Sequence, residues 1–208
     1  MRLFLSSMNL GDEPERLTAL LGSNRHAAII MNAADFHNGK DRAERYEREL
    51  ASLREIGITG DELDLREYFD KEADLARVLE KYGLVWLRGG NAFILRRAMR
   101  QSGFDTIIKD MLGRDAIVYA GYSAGACVAT PTLKGLELVD APDVAPEEYK
   151  PEVVWEGLGL VGYSIAPHYR SPLHPETEAI NDVVDYFKRN DMPYRALIDG
   201  QVITLNRA

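Results

Sequence analysis

The chain has 208 residues, 46% of them hydrophobic, and its 25 basic and 33 acidic side chains leave a net charge of −8. That length suits one domain over residues 1–208 with a substantial core, and the acidic balance argues against nucleic acid or an anionic membrane as partner. The lone cysteine, Cys127, excludes an internal disulfide framework and suits a reducing compartment.

The opening "MRLFLSSMNL" holds too short an apolar run for a signal peptide or membrane span. A soluble, cytoplasmic protein is the expectation. "RLFLSS" from Arg2 and "HAAIIMN" from His26 read as buried strands. Between them a helix opens at Pro14, which suits a first helical turn, and stops at Gly22. "DRAERYERELASLREIG" puts Ala43, Tyr46, Leu50, Leu53 and Ile56 on one helical stripe ended by Gly57. A strand "DELDL" from Asp61, a helix from about Lys71 to Tyr82 and the strand Leu84 to Leu87 follow. A helical stretch from Phe93 to Leu112 is broken near Gly103, and the strand "AIVYAGY" comes next. The tail "YRALIDGQVITLN" reads as two short strands joined at Asp199-Gly200, a terminal β-hairpin. Alternating strands and helices with near-continuous apolar strands predict an α/β three-layer sandwich around a mostly parallel sheet.

In such a sheet, functional residues gather beyond the carboxyl ends of the strands. "AIVYAGY" runs straight into Gly121-Tyr122-Ser123-Ala124-Gly125, a Gly-x-Ser-x-Gly turn that can present a serine as nucleophile. After Leu87 comes "RGGNAF", where Gly89-Gly90 lets backbone amides turn toward one point. The Gly90 and Ala124 amides are the candidate oxyanion donors. Arg88, Gly89 and Asn91 are placed to meet substrate.

A serine needs a base, and the chain offers His26, His37, His168 and His174. His26 begins a strand, at the wrong edge of the sheet. His37 follows a strand, on the right edge. His168 follows "GYSIAP" and opens a loop, which makes it the preferred base. His174, beside Pro175, reads as a cap or surface residue near the site. Glu137, Asp140, Asp143, Glu147 and Glu148 lie between serine and base as candidates for the orienting acid, and position alone does not choose among them.

The segments "LFLSSMNLGDEPERL", "RGGNAFIL", "GYSAGACVATPT", "WEGLGL" and "APHYRS" resemble, in this order, the dipeptidase E family of aspartyl dipeptidases related to cyanophycinase. The resemblance implies a fold like class I glutamine amidotransferases (flavodoxin-like), and a serine peptidase that uses no metal or other cofactor. It implies Ser123 as nucleophile, His168 as base and Gly90 and Ala124 as oxyanion donors. The family's acid lies shortly beyond the serine, which favours Glu137, with Asp140 second. A basic residue after the histidine is expected to hold an acidic substrate side chain. Glu178 stands there instead, leaving Arg170 and Arg88 as substitutes. The expected partner is a small peptide, the expected state a monomer or homodimer. The competing readings are a non-catalytic binding or regulatory protein on this fold and an esterase or amidase of related chemistry.

Overall fold

The computed structural model describes residues 1–36 and 39–206. Among the described residues the strands and α-helices run in the order β1 (Arg2–Ser6), α1 (Glu15–Leu20), β2 (His26–Ile30), α2 (Gly39–Glu55), β3 (Thr59–Glu62), α3 (Glu72–Leu79), β4 (Leu84–Leu87), α4 (Ala92–Ser102), α5 (Phe104–Gly113), β5 (Val118–Tyr122), α6 (Ala124–Cys127), β6 (Ser164–Ala166), α7 (Thr177–Arg189), β7 (Tyr194–Ala196) and β8 (Val202–Asn206). Six strands form the central sheet in the order β3-β2-β4-β5-β1-β8. All its pairings are parallel except that of β8 with β1.

Side-chain alternation along the strands divides the core. Leu3, Leu5, Ala28, Ile30, Val85, Leu87 and Tyr119 point to one face, where they meet residues of α3, α4, α5 and α7. Phe4, Ala27, Ile29, Leu84, Trp86, Val118 and Ala120 point to the other, against Leu17 and Leu20 of α1 and Leu50 and Leu53 of α2. This period-two division is what a sheet covered on both sides requires, and it bears out the mostly parallel α/β architecture. Gly103 adopts φ 76° and separates α4 from α5, the break expected there.

The tail departs from expectation. β7 pairs in parallel with β6 in a separate two-stranded sheet, whereas β8 pairs antiparallel with β1 at the edge of the large one. There is no hairpin between them. Asp199-Gly200 does make a turn, but a turn signal fixes only local backbone direction and not the partner of each flanking strand. The chain therefore crosses from one sheet to the other just beyond the carboxyl end of β1. Strand β3 also begins two residues earlier than "DELDL" suggested. Among the described residues, no helix is long and apolar enough to cross a membrane.

Candidate active site

The carboxyl ends of β4, β5 and β1 surround one cavity of about 540 Å³, lined among others by Gly89, Gly90, Ser123, Asp140, His168 and His174. Ser123 sits immediately after β5 with φ 50° and ψ −117°. A non-glycine residue rarely adopts such a backbone, and here the flanking contacts hold it. The Ser123 N–H donates to the Ser6 carbonyl of β1 at 3.2 Å, and the Ser123 carbonyl accepts from Ala126 and Cys127 at 2.9 Å each. Gly125 is obligatory because a Cβ there would strike the Leu87 backbone of β4.

Gly90 has φ 144°, and a side chain would collide with the Ala33 carbonyl. The neighbouring Asn91 N–H donates to that same carbonyl at 2.9 Å, which pins the loop. Gly90, Ser123, Ala124 and His168 together line a further hollow of about 20 Å³. Two backbone amides beside a serine hydroxyl in a small hollow can receive the negative oxygen of a tetrahedral intermediate.

His168 is 2% exposed. Its Nδ1 lies 2.7 Å from Asp199 Oδ1. The Ser7 hydroxyl, just beyond β1, accepts from the His168 N–H at 2.8 Å and donates to the same Asp199 oxygen at 2.7 Å. The Asp199 N–H donates to Ser171 Oγ at 2.9 Å, and the Thr177 hydroxyl donates to the His168 carbonyl at 2.6 Å. His174 stacks on His168 with ring centroids 3.6 Å apart and planes 2° from parallel. Burial is the main cause that lowers the His168 pKa below the ordinary imidazole value; the Asp199 hydrogen bond opposes it and the His174 charge adds to it.

His168, His174 and Asp199 are also close enough for one metal ion. Parallel stacked rings, however, direct their in-plane lone pairs along separate lines, and the Asp199 carboxylate is already on Nδ1. The packing favours an oriented base over a chelate.

Glu137 is not the partner of this histidine. It lies in a 3₁₀ turn, Leu136–Leu138, and its carboxylate accepts from the Gly135 N–H at 2.6 Å, two residues away. The apolar run around it folds into a turn that faces its acid back on its own backbone. Asp140 comes closer, lining the cavity and accepting from the Ala92 N–H at 2.8 Å. Burial pushes its carboxyl up to about 7.

Asn91 lines the cavity, as expected, and is held in place there. Its Oδ1 caps α4 by accepting from Phe93 and Ile94, and its Nδ2 donates to Ala141, so the side chain is engaged by the protein. Arg170 lies over the Tyr169 ring, exposed and away from the cavity. Gly89 and Arg88 do line it. His26, at the start of β2, pairs with Asp61 at the opposite edge. His37 lies outside the described residues. Cys127 is buried against the Ile165 carbonyl, and burial raises its thiol pKa, so it packs as a small apolar group.

Sequence reading missed Asp199, Ser7 and Glu49. The Glu49 carboxylate, on α2, accepts from Tyr122 OH at 2.6 Å and from Trp86 Nε1 at 2.9 Å, which ties the ends of β4 and β5 to the helix behind the serine turn. A glutamate facing the apolar stripe of α2, one residue before Leu50, was the available signal.

An α/β fold with a strained serine at a strand-to-helix turn, sharing a cavity with a histidine held by an aspartate, describes the general class. The chain belongs to peptidase family S51, whose model matches residues 6–207. It is 30% identical over 139 residues to an uncharacterized peptidase of Listeria innocua, a match covering 66% of this chain and 62% of that one. With the peptidase E of Streptomyces coelicolor it shares 31% identity over 158 residues, 74% of this chain and 58% of the other. The matches thus span about three fifths of the length of these curated relatives. The fold is similar to that of a Listeria monocytogenes protein provisionally named peptidase E, with a TM-score of 0.73, 22% identity and coverage of 100% of this chain and 98% of that one. A peptidase from an acI-B1 actinobacterium gives 0.69 at 16% identity, covering 99% and 83%.

Proposed function

We propose that this protein is a serine-type peptidase that hydrolyses short peptides, with Ser123 as nucleophile, His168 as base and Asp199 as the acid that orients it. The observation that carries the reading is the opening of Ser123, at φ 50°, and His168, held at 2.7 Å by Asp199, onto one cavity. Membership of family S51 supports the peptidase chemistry, and the likeness to the Streptomyces peptidase E supports a substrate of that enzyme's type.

The Ser123 Oγ–H gives its proton to His168 Nε2 as the oxygen bonds to the scissile carbonyl carbon. Asp199 holds the imidazole through Nδ1–H and stabilises the imidazolium that forms. The Gly90 and Ala124 amides receive the resulting oxyanion. Collapse breaks the C–N bond, and His168 returns the proton to the leaving amine. Water, deprotonated by His168, then releases the acyl group from Ser123.

A fluorophosphonate probe tests this directly. It should label the protein at Ser123, and labelling should vanish in Ser123→Ala. Absence of label from the folded wild-type protein would favour a non-catalytic binding role. Preference for an N-terminal Asp is read from relative rates on Asp-Ala, Asn-Ala and Ala-Ala. Among the described residues, no arginine after His168 lines the cavity to hold such a side chain, whereas Glu176 does line it.

A further inference from the structure

A second lobe of about 360 Å³ adjoins the Ser123 cavity, sharing Asn9, Arg45, Arg88 and Tyr122 with it. Its charged lining consists of Arg45, Arg48, Arg88 and Glu49. The Glu49 carboxylate already accepts from Trp86 and Tyr122, and it lies 3.3 Å from Arg88 Nε. Three arginines against one glutamate leave two positive charges in excess, in a chain whose net charge is −8.

Arg45 is the sharper observation. Its Nε is buried and has no hydrogen-bond partner, and no carboxylate among the described residues forms an ion pair with it. A buried donor without an acceptor is costly, and a guanidinium's planar fork matches a carboxylate. The two acids that line the main cavity, Asp140 and Glu176, are absent from the lining of this lobe.

We propose that Arg45, with Arg88 beside it and Arg48 at the rim, forms a subsite for a substrate carboxylate. The inference rests on the reading of this cavity as the peptide site. Two sources supply the same chemistry: the C-terminal carboxylate of a dipeptide, and the side chain of an acidic residue. Either would supply the acceptor that Arg45 lacks.

The test is binding, which does not depend on turnover. Calorimetry on Ser123→Ala and on Ser123→Ala/Arg45→Gln compares Ala-Ala with its C-terminal amide, and Asp-Ala with Asn-Ala. The single variant should bind the carboxylate member of at least one pair about tenfold or more tightly, and Arg45→Gln should erase that difference. Discrimination in the first pair assigns the subsite to the C-terminus, and in the second to an acidic side chain. Equal binding within both pairs, no measurable binding of any peptide, or discrimination that survives Arg45→Gln would overturn the proposal. If wild-type protein neither hydrolyses these peptides nor takes the fluorophosphonate while Arg45-dependent discrimination persists, the peptidase reading fails and the subsite stands. Arg45 has no hydrogen bond to lose, so the variant should unfold at the parent's temperature.

Discussion

The two sides of the active-site cavity are built by different means. On one side, Ser123 and Gly90 lie within a few residues of β5 and β4, on neighbouring parallel strands whose register is fixed by the sheet. On the other, His168 follows the three-residue β6 and Asp199 lies on the crossing between β7 and β8, 31 residues later in the chain. The first side is rigid because strand pairing and obligatory glycines determine it. The second depends on hydrogen bonds among Ser7, His168, Ser171, Thr177 and Asp199, drawn from four separate segments. The placement of Ser123 is thus a property of the sheet, while the orientation of His168 is a property of a polar network.

The largest effect should come from the sheet side. Ser123→Ala should lower kcat by about 10⁶, as loss of a triad nucleophile does, with circular dichroism and thermal midpoint retained. Retained hydrolysis by the purified variant would remove the proposed mechanism. On the network side, Asp199→Asn should lower kcat by about 10⁴ with a smaller effect on KM, whereas Glu137→Gln should stay within about twofold. A larger loss in Glu137→Gln would mean that the observed pair is not the working one. Ser7→Ala removes the hydrogen bond to Asp199 and the acceptor of the His168 N–H, and should cost at least about fivefold in kcat, the equivalent of about 1 kcal/mol.

The smallest effect is a displacement in pH. The base must be neutral, and burial lowers the pKa of His168, so the acid limb of kcat/KM should fall below the ordinary imidazole value of about 6.5. The nearby His174 charge lowers it further, so His174→Gln should move the limb upward. Asp199→Asn removes a group that raises it and should move the limb downward, along with the loss in rate. Identical limbs in all three proteins would show that another group controls the profile.

This division also decides what the sequence could disclose. The serine turn, the glycine loop and most elements were legible because each depends on residues close together in the chain. Asp199 was not, although its Asp-Gly pair was noticed. That pair has the same appearance whether it closes a hairpin or carries the chain between two sheets, and only the partners of β7 and β8 separate the cases. Glu137 misled in the opposite sense, since an apolar neighbourhood says that an acid is shielded and not which way it faces. Arg170, which does not line the cavity, and Asn91, which does, show the same limit. Chain position brings a residue near the site, but a ring beneath one and two helix amides beside the other claim their side chains.

The edge strand β8 gives the site an order of assembly. Asp199 stands three residues before β8, and that strand is held in the large sheet through its antiparallel pairing with β1. During synthesis the serine turn, the Gly90 loop and His168 all emerge before the segment that completes the network. The network is therefore completed late, when β8 docks beside a β1 that was made first. An edge strand has one pairing partner to lose, so local opening of β8 would draw Asp199 from His168 while the other five strands stay paired.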